Sequence, residues 1–380
     1  MKGAGELFKL TRLCKIQSFI MNGAASLEAA ATKVKPSGAQ IKIGLDVHAR
    51  LYVAVAQYDH LLPKAAQRLS PVEFVPWVEA LLGQGHSVHV VYEACGFGFS
   101  LYRQLIAAGA HCYVIAPRKL DEECARVKTD PRDATTLCQR LSRYLEGNTR
   151  ELAVIRVPSQ EEEQARHVSR QRTQLVCHRQ KLEAQGRCLL ISHALPAPAH
   201  WWKEQSWTRL GRHLPAWITT RLQTARPALL SLQQQINALT SELEASAPST
   251  LPRGVGKLTS VVLTREICDW HRFNNRRAIS SYTGLCPGER SSGSKRVPGS
   301  VTKRGNPRIG DALVECAWRM VRFQPQYPPV QKRLAILRKG SRALGALRKK
   351  AIVAVARRLA VDLWRLHTGR CTAEQLGFTI

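Results

Sequence analysis

The sequence predicts an α/β domain followed by a long helical segment and a mainly α domain. Three observations predict it. Between residues 40 and 146, short apolar strands of period two alternate with capped helices. Over 147–248 the composition turns polar and helical, with leucines at heptad spacing. After residue 249, glycine turns and basic loops separate apolar helical faces. At 380 residues the chain exceeds one typical domain, and 44% hydrophobic residues are enough for real cores. Its 57 Lys+Arg against 28 Asp+Glu give a formal charge of +29. An excess of that size favours a polyanionic partner, with nucleic acid ahead of a ribosomal or membrane surface.

The totals also exclude classes. No run of about eighteen apolar residues occurs, so no membrane span is expected. The eleven cysteines are scattered, without CxxC or zinc spacing, which fits a reducing cytoplasm and argues against a structural zinc. Residues 1–38 read as a flexible leader: Lys9, Arg12 and Lys15 precede a short apolar patch interrupted by Gln17 and Ser18, too short for a secretory core. Met21 is an alternative start.

Taken in order, Ile41, Ile43 and Leu45 alternate with polar or small residues, as do Leu51, Val53 and Val55, predicting a hairpin. Asp46 ends its first strand within Gly44-Leu45-Asp46-Val47-His48. Ser70-Pro71-Val72-Glu73 carries a cap, a first-turn proline and an acid, so a helix runs to about residue 82. Residues 88–93 form a near-continuous apolar strand ending in Glu93, residues 101–108 a helix, and residues 111–116 a further strand. In Lys128-Thr129-Asp130-Pro131-Arg132-Asp133-Ala134, two carboxylates open a helix over 134–144. One reading makes Asp130 the N-cap and Asp133 its support. The other joins them to Asp46 and Glu93 at one end of the sheet. Acids from separate elements converge this way in ribonuclease H-like folds that hold two Mg²⁺ ions, and an all-oxygen ligand set favours Mg²⁺ or Mn²⁺.

In the helical segment, Val168, Leu175, Leu182 and Leu189 recur every seventh residue, and Leu229, Leu232, Ile236, Leu239 and Leu243 step three and four. Two long helices follow, paired either within the chain or as a coiled-coil dimer contact. Trp201, Trp202, Trp207 and Trp217 lie between them, better suited to core packing than to stacking on bases. Leu251-Pro252-Arg253-Gly254-Val255-Gly256, leading into a helix at Lys257, matches a helix-hairpin-helix turn that brings backbone N–H groups onto a phosphate; an ordinary glycine turn is the competitor. Glu289-Arg290-Ser291-Ser292-Gly293-Ser294-Lys295-Arg296 continues to Thr302-Lys303-Arg304-Gly305-Asn306. It reads as a basic loop touching phosphate, or as a presented serine nucleophile with cations around the phosphate it attacks. Residues 309–321 are a helix, and Leu344, Leu347, Ala351, Val355, Leu359, Leu363 and Leu366 mark one apolar face of a last, basic helix.

Taken together, these stretches resemble the DEDD-type transposases of bacterial insertion sequences, whose best-studied members are recombinases guided by a bridge RNA. The matching segments are Ile43-Gly44-Leu45-Asp46, Tyr92-Glu93-Ala94, Lys128 to Ala134, Leu251 to Gly256, Tyr282-Thr283-Gly284-Leu285-Cys286-Pro287, Ser292-Gly293 and Thr302 to Asn306, in order over about 40–325. The resemblance implies a RuvC-like domain over 39–146, a helical coiled-coil linker over 147–248, a transposase domain over 249–340 and a basic C-terminal helix over 341–380. It implies metal-binding acids at Asp46, Glu93, Asp130 and Asp133 and a nucleophile at Ser292, with Ser291 and Ser294 as nearby registers. By chemical inference, Arg290, Lys295 and Arg296 neutralise developing charge, while Gly254, Gly256, Lys257, Lys303 and Arg304 contact nucleic acid. The implied cofactor is Mg²⁺, with Mn²⁺ an alternative. The implied partners are DNA, a guide RNA and further copies in a homodimer or homotetramer, in the bacterial cytoplasm at the nucleoid. The rivals are a Holliday-junction type nuclease using metal and water, and a non-catalytic nucleic-acid binder whose acids are caps and turns.

Overall fold

The hairpin that the alternating apolar residues predict is the centre of a five-stranded mixed sheet. A computed structural model describes residues 38–117, 129–292 and 295–380. Nearly all of the expected leader therefore lies outside the described residues, as do Lys128, Gly293 and Ser294 of the quoted motifs. The chain divides into two units, one ending at Val157 and the other starting at Pro158.

In the first unit, β1 (Gln40–Val47) pairs antiparallel with β2 (Tyr52–Tyr58), setting Gly44 opposite Val55 and Asp46 opposite Val53. A short β3 (Gln67–Leu69) extends the far side of β2. With only Gln67, Arg68 and Leu69, β3 has no periodicity to betray it. Helix α1 (Pro71–Gly83) then carries the chain to β4 (Ser87–Glu93), parallel to β1, and α2 (Ser100–Ala107) carries it to β5 (His111–Ile115), parallel to β4. The sheet order is β3-β2-β1-β4-β5. A tight hairpin forces antiparallel neighbours and a helical crossover permits parallel ones, hence the mixed sheet. The start of α1 follows the capping reading, since Ser70 N–H donates to Glu73 Oε2 at 2.8 Å. One sheet face buries Ile41, Ile43, Leu45 and Val90 with Phe74, Val78 and Leu105 of the crossover helices. The other is covered by α3 (Asp130–Leu145), whose Ala134 and Cys138 pack on Val53 and Val55, and whose Leu137 and Leu141 join Val91 and Ile115.

In the second unit, α4 (Gln160–Ser192) starts at a complete capping box: Ser159 Oγ accepts from Glu162 N–H at 3.2 Å, and Glu162 Oε2 accepts from Ser159 N–H at 2.9 Å. It packs along α6 (Ala216–Ala245) of the same chain, with α5 (Glu204–Leu210) between them in sequence. Leu222, Leu229, Ile236 and Leu243 of α6 form a buried line at seven-residue spacing. On α4 the expected leucine line is only half-buried, and the buried positions are Ser169, Glu183, Gly186 and Leu190. The indole of Trp201 explains the offset: it lies where a Cβ on Gly186 would sit, at 2.3 Å, so the small-residue face turns inward. Trp201 and Trp202 are buried, whereas Trp217 is 51% exposed.

The rest of the second unit is a helical core with one β-ribbon: α7 (Lys257–Ile267), α8 (Arg276–Tyr282), β6 (Pro287–Ser292), β7 (Lys295–Val301), α9 (Pro307–Phe323), two short helices α10 (Pro328–Gln331) and α11 (Leu334–Leu337), and α12 (Gly345–His367). The serine segment, expected as a loop, is thus an antiparallel hairpin. In α12 the expected stripe starts late: Leu344 and Leu347 are exposed, and burial begins at Ala351 and holds through Val355, Leu359 and Leu363. Among the described residues no helix is long and apolar enough to cross a membrane, and nine cysteines are free thiols.

His89 gives the first unit a pH signature. Its ring is 8% exposed and stacks on His111 with centroids 4.6 Å apart. Burial, with smaller contributions from His111 and Lys42, lowers its pKa from 6.5 to about 4. The folded state keeps the ring neutral while the unfolded chain takes up a proton near pH 6.5. The stabilisation is therefore complete above that pH and lost as pH falls towards 4. Denaturant titrations from pH 7 to 4 will show this decline in the first unit, and His89→Phe will flatten it.

Candidate active site

The site begins with a glycine. An ideal Cβ on Gly44 would stand 2.1 Å from the Ala134 carbonyl oxygen and 2.3 Å from the Cys138 nitrogen, so only a glycine lets α3 rest backbone-to-backbone on β1. Alternate residues of a strand share a face, which puts Lys42, Gly44 and Asp46 in one row, with His48 just past the end of β1. Two strand residues advance about 6.6 Å and four helix residues about 6.0 Å, so an antiparallel helix keeps step with that row. The contacts follow this step. Lys42 Nζ, buried, donates to Ser142 Oγ at 3.0 Å, and Cys138 Sγ donates to the Lys42 carbonyl at 3.2 Å. Gly44 meets Ala134 and Cys138, and one further step brings Asp46 and His48 to Asp130.

At that end, His48 Nε2 lies 3.2 Å from Asp46 Oδ2 and 3.5 Å from Asp130 Oδ2. Glu93, the last residue of β4, and Asp133, on the first turn of α3, line the same cavity of about 210 Å³ with Asp46, His48 and Asp130. All four acids singled out from the sequence therefore share one pocket. The capping reading is corrected by one residue: Thr129 is the N-cap of α3 and Asp130 is its first helical residue. The carboxylate of Asp130 faces His48 and does not cap its own helix. Pro131 fits the first turn, where no intrahelical N–H bond is required.

Donor chemistry tests whether a divalent ion fits. One ligand atom each from Asp46, His48 and Asp130 lies within 4.8 Å of the others, with Glu93 and Asp133 lining the same pocket. Carboxylates with open positions suit a hard or borderline divalent cation. The donor set fits such an ion. His48 was not singled out from the sequence; its position two residues after Asp46, at a strand end, was the available signal.

The remaining sequence-predicted residues belong to the second unit. Ser292 ends β6 and pairs with Lys295 at the start of β7, Ser291 pairs with Arg296, and Arg290 pairs with Val297. Arg290, Ser292, Lys295 and Arg296 are thus placed by their backbone at the tip of one ribbon. The neighbouring Ser291 Oγ donates to Glu289 Oε1 at 2.7 Å. The foot of the ribbon is zipped by backbone bonds: Thr302 N–H donates to the Cys286 carbonyl, Lys303 N–H to Gly284 and Asn306 N–H to Tyr282. Gly305 allows this approach, because a Cβ there would lie 2.3 Å from the Gly284 nitrogen. Lys303 takes a positive φ of 54° within this turn, next to Arg304.

A buried carboxylate anchors that foot. Glu266 receives Arg170 of α4 through two bonds, at 2.9 and 3.0 Å, and Asn306 Nδ2 at 2.8 Å. Burial pushes the Glu266 carboxyl up, but the bonds from Arg170 and Asn306 outweigh it and hold the pKa below the usual carboxylate value. The Asn306 Oδ1 also caps α9 by accepting from Arg308 N–H at 3.0 Å. At the glycine turn, Gly254 takes φ 88° and Gly256 is the N-cap of α7, leading into Lys257. The Arg319 guanidinium, unnoticed in the sequence, lies 2.7 Å from where a Gly256 Cβ would stand and donates to Thr259 Oγ1 at 3.2 Å.

Comparisons with known proteins bear on both units. Residues 249–330 match the family model described as the IS116/IS110/IS902 transposase family. The chain is 32% identical over 305 residues to y4rJ of Sinorhizobium fredii, which is named as a transposase; the match covers 73% of this chain and 76% of that protein. It is 27% identical to the transposase for insertion sequence element IS1111A of Coxiella burnetii, covering 75% and 80%. It is 23% identical to the transposase for insertion sequence element IS1533 of Leptospira borgpetersenii, covering 74% and 85%.

The contact at Gly44 yields a mutational test. In Gly44→Ala, the added methyl meets the α3 backbone at Ala134 and Cys138, and no side-chain rotation relieves it. Overpacking of this kind costs about 1–3 kcal/mol. Denaturant unfolding will show that loss in the first unit; wild-type stability would mean that α3 does not press on β1 at this residue.

Proposed function

This chain belongs to the IS116/IS110/IS902 family of insertion-sequence transposases, and from that premise we propose how its two units divide the breaking and rejoining of DNA. The protein is a DNA transposase. The observation that carries the proposal is the arrival of Asp46, Glu93, Asp130 and Asp133 in one pocket at the strand ends of a mixed sheet. We read this unit as a RuvC/RNase H-like domain whose four acids, all identified from the sequence, hold Mg²⁺ or Mn²⁺. When bound, such an ion polarises a scissile phosphodiester and stabilises the departing 3′ oxygen. The carboxylates position that centre, and the buried Lys42–Ser142 contact holds α3 in register beneath it.

In the second unit, Ser292 is the nucleophile. Its Oγ forms a bond to phosphorus as the bond from phosphorus to the 3′ oxygen breaks, and the proton released by the serine passes to that oxygen. The product is a phosphoserine and a free 3′-hydroxyl, which conserves the phosphoester for rejoining. Arg290, Lys295 and Arg296 flank Ser292 on the same ribbon and neutralise charge on the phosphate. Gly254, Gly256 and Lys257 at the start of α7, with Lys303 and Arg304 at the ribbon's foot, contact the nucleic-acid backbone. The excess of basic residues over the whole chain supports this assignment. Exchange between two DNAs needs at least two active sites, so the working form is a homodimer or homotetramer, with the α4–α6 pair as its coiled-coil arm. Family resemblance supports a guide RNA that selects the target by base pairing, leaving the protein to read backbone and shape. Its place of action is the bacterial cytoplasm, on the chromosome.

Incubating the protein with its element's end DNA and Mg²⁺, then resolving products under denaturing conditions, tests the division of labour. Wild type will give cleaved DNA and a protein–DNA adduct. Ser292→Ala will lose both while Ser291→Ala keeps them, and Asp46→Ala will reduce cleavage to background. Continued cutting by Ser292→Ala without an adduct would instead establish hydrolysis by water, as in a junction-resolving nuclease.

A further inference from the structure

His48 belongs to no acidic motif, yet its ring nitrogen lies 3.2 Å from the Asp46 carboxylate and 3.5 Å from that of Asp130. Resting on the reading of this pocket as a divalent-metal site, we propose that His48 is a metal ligand, and that its nitrogen tilts the site's preference from Mg²⁺ towards Mn²⁺.

The argument is geometric first. Two donors each about 2.1 Å from one ion, at right angles, stand about 3.0 Å apart. The observed separations of His48 Nε2 from the two carboxylate oxygens, 3.2 and 3.5 Å, are near that value. The ring is aimed there by the backbone. Asp46 is the penultimate residue of β1 and His48 directly follows the strand, and both side chains reach the start of α3, where His48 Nε2 lies 3.5 Å from Asp130 Oδ2. The His48 N–H donates to the Leu51 carbonyl at 3.2 Å, which closes the β1–β2 turn and fixes the position of its Cα. The side chain itself is half exposed, so it can shift by a few tenths of an ångström without disturbing a core.

Ligand chemistry gives the consequence. Mg²⁺ is a hard ion that prefers oxygen and keeps its waters, whereas first-row transition ions accept imidazole more readily. An aspartate pair with one imidazole is therefore a poorer Mg²⁺ site and a better Mn²⁺ site than carboxylates alone. The competing role for His48 is an N–H donor that merely orients the two aspartates. That role would place no nitrogen on the ion.

The test is metal binding by the full-length protein, read without DNA or turnover. Mn²⁺ and Mg²⁺ are titrated calorimetrically, and the Mn²⁺ complex is examined by pulsed electron paramagnetic resonance for coupling to histidine nitrogen, with ¹⁵N-histidine labelling as the control. The expected result is nitrogen coupling in wild type that disappears in His48→Ala. Mn²⁺ affinity should fall about tenfold in the variant while Mg²⁺ affinity changes by less than about twofold. Mn²⁺ bound to wild type without nitrogen coupling would overturn the proposal even if His48→Ala failed to fold. So would equal losses of Mn²⁺ and Mg²⁺ affinity in a folded variant. Failure of wild type to bind either ion, or a bound-Mn²⁺ signal unchanged in Asp46→Ala, would overturn the metal reading itself, and both are distinguishable from a site that binds Mn²⁺ without histidine nitrogen.

Discussion

The first unit depends on how closely one helix can lie on one strand. With a hydrogen at Gly44 in place of a methyl, the backbone of α3 approaches β1 until Ala134 and Cys138 are in van der Waals contact with it. That approach sets the height of the helix start above the strand end, and so whether Asp130 and Asp133 reach Asp46. Val53, Val55, Ala134 and Cys138 form the dry patch around the contact, and the buried Lys42 ammonium ties the helix down behind it through Ser142 and the Asp59 carbonyl. A charge that deep in a sheet face would be costly without those acceptors. Here it fixes the register of a helix whose acidic end must be placed to within an ångström.

The second unit solves a comparable problem with a buried acid. Glu266 gathers Arg170 from α4 and Asn306 from the ribbon's foot. Tyr282 adds a third element by donating from its hydroxyl to the Glu266 backbone carbonyl at 3.2 Å. A carboxylate with its charge-assisted bonds satisfied is specific, because no shifted register supplies the same donors. The motif residues Thr283-Gly284-Leu285 and Thr302 to Asn306 thus have a structural use apart from any contact with nucleic acid: they form the clasp from which the serine ribbon projects.

Much of this was legible in the residues, for local reasons. Period two marked β1 and β2, a near-continuous apolar run marked β4, and Ser70 with Glu73 marked the start of α1. Of the line on α6 that steps three and four, Leu229, Ile236 and Leu243 are buried, while Leu232 and Leu239 are half-buried. The misses share a different cause. β3 is held by its neighbour β2 and has no pattern of its own. The buried line of α4 moved off its leucines because Trp201, distant in sequence, occupies the space beside Gly186. The serine ribbon looked like a loop because glycine, serine and charge carry little strand propensity, and its pairing comes from partners across the turn.

By itself the sequence determined the excess of positive charge, the two classes of secondary structure, and the four acids that end strands or open a helix. Each is written in composition or in spacing over a few residues. Tertiary structure alone decided that those acids share one pocket and that His48 stands among the carboxylates. The physical reason is that such facts turn on separations of about 3 Å between residues some eighty positions apart. Those separations are set by how closely two backbones can pack.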